Sequence, residues 1–233
     1  MQSPVTHRRA MRVAAFGAGI AFLVVVGPLV FFRLVEGSSP PRLSLPAPHG
    51  QLAPGPVSGA WKVGTGSIAG YRVEEILFGQ SHAAVGRTDQ VTGQILISGT
   101  EVTSGDFTVN LASITSDQRS RDVQFHGYIM QTYRYKYATF RITKPIEFGS
   151  VSPGALPPAG RTIQAGATGD LTLRGVTRSV SFQVSADRAA GGIDVAAQIP
   201  ITFSTWHIPN PSFVIAKVGD GGTIEVLLHL VPG

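Results

Sequence analysis

No cysteine occurs in the 233 residues. The chain therefore forms no disulfide, holds no metal through thiolates, uses no cysteine nucleophile and carries no acylated cysteine. It must hold itself together by burial and hydrogen bonding alone. Paired histidines are missing as well: His7, His49, His82, His126, His207 and His229 are scattered, with no HExxH spacing. No glycine loop between a strand pattern and a helix pattern offers a cradle for phosphate. Charge of one sign is scarce outside the N-terminus. Of 19 Lys and Arg, five (Arg8, Arg9, Arg12, Arg33, Arg42) precede residue 61, with Glu36 as the one acid there. The remainder carries 14 bases against 13 acids, so a near-neutral domain with no nucleic-acid partner is expected.

What is present begins with an uncharged apolar run of twenty residues, 13–32, between Arg12 and Arg33. At about 1.5 Å of rise per residue such a helix spans the ~30 Å hydrocarbon core of a bilayer. A transmembrane helix is expected over 13–33, after a short basic cytoplasmic segment, 1–12. The arginines before it favour a cytoplasmic N-terminus and an extracytoplasmic remainder at the cell membrane. The alternative is a signal peptide cleaved near residues 35–37, giving a secreted protein. The run exceeds the usual apolar core of about 7–15 residues, and Arg33 interrupts the approach to the cut. Both readings export the domain. Arg8-Arg9 fits a twin-arginine signal only weakly. Ala15 and Gly19 allow helix association in the bilayer, and so a homodimer.

Residues 34–60 form a proline-rich linker. Six prolines fall between Glu36 and Ala60, without hydrophobic periodicity, which predicts a semi-extended tether. Residues 61–233 are ample for one domain with its own core.

Period-two alternation dominates that domain. Val91, Ile95 and Ile97 alternate with polar residues, as do Phe107, Val109 and Leu111; Val180, Phe182 and Val184; and Ile224, Val226, Leu228 and Leu230. Shorter versions occur at 140–142 and 171–173, with a looser strand over 193–203. These are strands with one apolar face, as antiparallel sheets require. Turns are predicted at Ser98-Gly99, Ser104-Gly105-Asp106, Gly191-Gly192 and 219–222, and a long loop at 152–160. Only 117–132 carries helical spacing, weakened by Gly127. Many strands and one helix predict a closed barrel or a sandwich.

Two charges break the strand pattern. Glu75 shares a face with Tyr71, Val73 and Leu77, and Arg87 shares parity with Val85, Val91, Ile95 and Ile97. If 78–84 is the connecting loop, Glu75 lies directly across from Arg87. The expectation is an inward-facing Glu75–Arg87 ion pair joined by Arg121 from the helix, since an unpaired charge inside a barrel is costly. A bulge turning one charge outward is the alternative.

Several short motifs then recur in order across 61–231: Trp61-Lys62-Val63, Gly70-Tyr71-Arg72-Val73-Glu74-Glu75, Ala84-Val85-Gly86-Arg87-Thr88 and Val91-Thr92-Gly93. They continue with Ser116-Asp117-Gln118-Arg119-Ser120-Arg121-Asp122, Ala138-Thr139-Phe140 and Gly169-Asp170-Leu171-Thr172-Leu173-Arg174-Gly175-Val176-Thr177. Their ordered combination resembles the YceI-like family. The resemblance implies an all-β fold, an eight-stranded antiparallel lipocalin-like barrel with one covering α-helix. It also implies a non-enzymatic extracytoplasmic bacterial protein that binds an isoprenoid or related amphiphile for sequestration, transport or stress protection. No cofactor is implied beyond an isoprenoid or quinone-like lipid as ligand. The chain departs from the family pattern at Lys136-Tyr137 (commonly Tyr-Pro), at Arg174 (often His) and at His126 (usually apolar).

The candidate ligand-binding residues are Tyr71, Val73, Glu75, Arg87, Ile95, Phe107, Val109, Arg121, Phe125, Phe140, Phe182 and Val226. The alternative is that the apolar ones simply fill the barrel. Arg119, Arg121, Arg134, Lys136, Arg141 and Lys144 form either an anionic-headgroup site or a solvated face. Two other functions stay open: an envelope interaction module without a ligand, and a serine hydrolase using Ser81 and His82. Gly79-Gln80-Ser81-His82-Ala83 approximates a nucleophile elbow, but its setting is a hairpin rather than a strand–turn–helix.

Overall fold

One apolar face per strand leaves a sheet two ways to cover itself: stack on a second sheet or curl into a ring. This chain curls. A computed structural model of the protein describes residues 39–47, 57–77, 79–148, 162–189, 191–212 and 216–233. The expected transmembrane helix, most of the tether and the loop at 152–160 lie outside the described residues. Among the described residues no helix is long and apolar enough to cross a membrane.

The strands in order are β1 (Gly59–Val63), β2 (Ile68–Leu77), β3 (Gln80–Thr88), β4 (Val91–Ser98), β5 (Glu101–Asn110), β6 (Thr115–Ser116) and β7 (Tyr137–Ile142). They continue with β8 (Ile146–Glu147), β9 (Ile163–Leu173), β10 (Val176–Ala189), β11 (Gly192–Thr202), β12 (Ala216–Val218) and β13 (Gly221–Pro232). β1 and β2 behave as one bent strand: both pair with β13, β1 at Val63↔Leu230 and β2 at Ala69↔Val226. β3 and β4 form a second bent strand, β3 on β2 and β4 on β1. Counted this way, eight antiparallel strands run in the order β1/β2, β3/β4, β5, β7, β9, β10, β11, β13, and β13 returns to β1. The barrel is closed, so these strands leave no open edge.

The helical spacing over 117–132 resolves into a short helix, α1 (Arg119–Gln124), that opens into a π-helical turn at Phe125–Ile129. The Met130 N–H reaches the Phe125 carbonyl, five residues back, at 2.8 Å. Gly127, the weak point of the predicted helix, lies inside that wider turn. The expected turn at Ser104-Gly105-Asp106 is instead part of β5. The ladder with β4 shifts by a residue there, and a side chain at Gly105 would crowd Ile95 and Ile142. That glycine permits close packing inside a bulged strand rather than a reversal of the chain.

The predicted Glu75–Arg87 register is corrected. Leu77 pairs with Gln80, so the hairpin closes with two residues between its strands instead of seven. Glu75 then lies opposite His82, and Arg87 opposite Gly70. The slip of five is odd, and an odd slip moves a side chain to the other face. Arg87 therefore sits on the outer wall while Glu75 stays on the inner one. The parity argument failed at Asp89-Gln90, where the strand bends: Thr88, opposite the lumen-lining Ala69, and Val91 both face inward.

On the outer wall Glu225, fully buried at 0% exposure, accepts from Arg72 Nε at 2.6 Å and from Arg87 Nη2 at 3.2 Å. The cover comes from within the stretch read as tether. The Pro41 carbonyl accepts from Arg87, Arg42 reaches Glu74 at 3.1 Å and Gln198 at 3.2 Å, and Leu43 is buried.

Candidate ligand-binding lumen

Inward positions of the ring enclose a cavity of about 250 Å³. Its lining is drawn from three apolar clusters, one beneath α1 (Leu111, Ile114, Phe125, Met130), one around Ile95 and Leu228, and one around Ile146 and Ala167. The volume exceeds the ~150 Å³ that accepts a benzene and falls just short of the ~300–1,000 Å³ of pockets for drug-sized ligands. A hollow of this size takes a short, slender apolar guest. Two tryptophans belong to the surrounding clusters without lining the cavity: Trp61, whose indole N–H donates to the Val57 carbonyl at 2.8 Å, and Trp206, which donates to the Leu171 carbonyl at 3.4 Å.

Of the residues singled out from the sequence, Tyr71, Ile95, Phe107, Val109, Phe125, Phe140, Phe182 and Val226 line this cavity. Val73 packs against the cluster beneath α1 without lining it. Glu75 and Arg121 do not line the cavity but pair with each other at 3.4 Å beside its α1 end. Arg87 is excluded, being on the opposite side of the wall. Alternation in β9 and β11 would have added Leu171, Ile193, Val195 and Ile199; the small residues Ala69, Ala165 and Ala167 carried no hydrophobic signal strong enough to find them.

The α1 end has its own electrostatics. Going along the inner face of β2, Ala69 and Tyr71 line the lumen, Val73 packs under α1, and Glu75 meets Arg121. Arg121 is also tied to Asp117 one turn back. The Tyr71 ring stacks on Phe125, centroids 4.9 Å apart and planes 15° off parallel. Across the ladder it lies over Gly86, where a methyl group would collide with it and with Ile114. The phenol oxygen is buried and has no hydrogen-bond partner among the described residues. Burial pushes its pKa well up, opposed by Arg121 and reinforced by Asp122, Asp117 and Glu75, so the group stays protonated at neutral pH.

The cationic surface expected around the helix is partly accounted for locally. Arg134 lies over the Tyr135 ring at 5.2 Å, Lys136 over Tyr137 at 5.4 Å, and Arg141 stands between Asp106 and Asp170 on neighbouring strands. His126 meets Thr132 at 3.3 Å, and Arg174 donates to the His207 carbonyl. Ser81 and His82 are consecutive residues of β3, so they point to opposite faces, and no helix follows them. Among the described residues no three His, Asp or Glu side chains gather as a metal site.

Comparison with known proteins agrees with this geometry. A polyisoprenoid binding domain from Saccharophagus degradans, implicated in plant cell wall breakdown, superposes with a TM-score of 0.55 at 14% identity, over 74% of this chain and 98% of its own. BcnA of Burkholderia cenocepacia gives a TM-score of 0.50 at 19% identity, over 68% of this chain and 95% of its own. No curated protein sequence matches the chain. The family model described as the YceI-like domain matches residues 64–230, and the chain belongs to that family.

Proposed function

We propose that this protein binds a prenyl lipid in the barrel lumen and holds it away from water, without chemical turnover. The observation that carries the reading is the lumen itself: an apolar hollow of about 250 Å³ in a closed barrel whose ring could have been packed solid. Each methylene-sized unit moved from water into such a lining contributes ~0.8 kcal/mol, so a few isoprene units bind without directed contacts, less the cost of ordering the chain. Membership of the YceI-like family and the fold shared with a polyisoprenoid binding domain support it. The apolar run at 13–32 and its arginine flanks support anchoring at the cell membrane with the barrel outside.

Organic extraction of the purified full chain followed by mass spectrometry tests the reading. One prenyl lipid per protein is the expected result. An empty protein that also refuses added prenyl lipids would overturn it and favour an envelope interaction module.

A further inference from the structure

The segment that covers the α1 end of the lumen has two unlike sides. Phe125 and Met130 are buried and line the cavity. Val123, Tyr128 and Tyr133 point away from it, at 66%, 65% and 82% exposure. Six large hydrophobic side chains are exposed among the described residues, and these three fall within 123–133. Two more border the same end: Tyr137 opens β7 just after the segment, and Ile76 follows Glu75, which holds Arg121. Leu96, on β4, stands apart. A patch gathered in this way marks a contact surface.

Charge decides the partner. Arg119, Arg134 and Lys136 are exposed around the patch, and none of them belongs to an ion pair among the described residues. Arg134 and Lys136 lie over tyrosine rings instead. The one acid between 118 and 137 is Asp122, whose carboxylate is taken by the Ser116 hydroxyl and N–H at 2.7 and 2.9 Å. Apolar, aromatic and cationic side chains together suit the interface of an anionic bilayer. Tyrosine fits that layer because its ring is apolar while its hydroxyl stays wet.

Chain length points the same way. The Pro41 carbonyl accepts from Arg87 on the barrel wall, and eight residues, 33–40, separate Pro41 from the apolar run at 13–32. At about 3.3–3.6 Å per extended residue they reach under about 30 Å, so a barrel anchored by that run stays close to the bilayer.

Resting on the anchoring reading above, we infer that this face is a second membrane contact. Val123, Tyr128 and Tyr133 enter the headgroup layer of an anionic bilayer, and Arg119, Arg134 and Lys136 meet its phosphates. The end of the lumen covered by Phe125 and Met130 is thereby held against the lipid.

Since the chain has no cysteine, an introduced one carries a nitroxide at a single chosen place. Gln124→Cys puts the label beside the patch, and Ser98→Cys puts it at the far end of β4; both positions are exposed. The full chain is reconstituted into vesicles of phosphatidylcholine alone or mixed equally with phosphatidylglycerol. Collision with oxygen against a water-soluble nickel chelate reads the depth of the label. On mixed vesicles the Gln124 label should lie at headgroup depth and the Ser98 label in water. Changing Arg119, Arg134 and Lys136 together to Gln should weaken docking about a hundredfold, at roughly fivefold per charge. Val123→Ser, Tyr128→Ser and Tyr133→Ser combined should release the face from both vesicles. All six positions are exposed, so melting temperature controls for folding; if a variant fails to fold, the phosphatidylglycerol dependence of the otherwise native chain decides. A Gln124 label in water on mixed vesicles, or docking unmoved by both sets of changes, overturns the inference and leaves anchoring intact. Immobilisation of that label without membrane depth also overturns it and gives the face to a second copy of the chain. A full chain that floats with neither vesicle overturns the anchoring reading and this inference with it.

Discussion

At the scale of single residues, the sharpest energetics lie outside the barrel. Arg72 is 6% exposed, and its guanidinium contacts a carboxylate that has no exposure at all. Glu225→Ala leaves Arg72 and Arg87 facing a buried void, so a loss of about 3–5 kcal/mol is expected in denaturant unfolding. Arg42→Ala removes a half-exposed partner of the same group and should cost under about 1 kcal/mol. Comparable losses from the two variants would show that the cluster is solvated rather than buried. None of this was legible in the sequence. Arg72 and Glu225 are 153 residues apart, both sit at outward strand positions where charge is ordinary, and their cover is a proline-rich stretch without periodicity. That Glu75 needs a counter-charge was legible from its inward position, but the partner read for it was Arg87; Arg121, expected only to join that pair, supplies the counter-charge.

At the scale of elements, strands were readable wherever one face is apolar and the other polar, as in β4, β10 and β13. Register was not. Alternation fixes which face a residue occupies only as long as the strand is continuous, and the bend at Asp89-Gln90 reset the count. The helix was readable in place but not in length, because the π turn at Phe125–Ile129 breaks the 3.6-residue spacing. Two element-level variants follow. Gly86→Ala forces the Tyr71 ring off the β2–β3 ladder and should destabilise by roughly 1–3 kcal/mol, the range of an overpacked core. Phe125→Ala removes the stacking partner of Tyr71 from beneath α1 and should cost about 3–5 kcal/mol in unfolding measurements. A near-neutral Phe125→Ala would mean that the α1 cap contributes little to closing the lumen.

At the scale of the whole molecule, a hollow and a solid core predict opposite behaviour on enlargement. Val226 faces the lumen from β13. In a tightly packed interior, Val226→Phe would cost about 1–3 kcal/mol. Here the ring has space to enter, so stability should change little while bound prenyl lipid, measured by extraction and mass spectrometry, drops severalfold. Lost stability with retained lipid would place the guest elsewhere. Many one-faced strands and a single helical stretch narrowed the architecture to a closed barrel or a sandwich, and the family resemblance pointed to the barrel. The existence of a cavity was not foreseeable, since the same apolar positions fill some barrels completely.

Ring closure has a consequence for timing. The strand that seals the barrel, β13, docks on β1 and β2, which precede it by more than 150 residues, as the Ser67–His229 contact at a separation of 162 illustrates. Long-range pairing of this kind must bear its loop-closure entropy before it yields any gain. If the barrel domain crosses a membrane starting from β1, everything up to β11 arrives first and waits with two bare sheet edges and a gaping lumen. The vulnerable interval is therefore the one just before β13 emerges, when a sticky half-cylinder needs either a chaperone or speed.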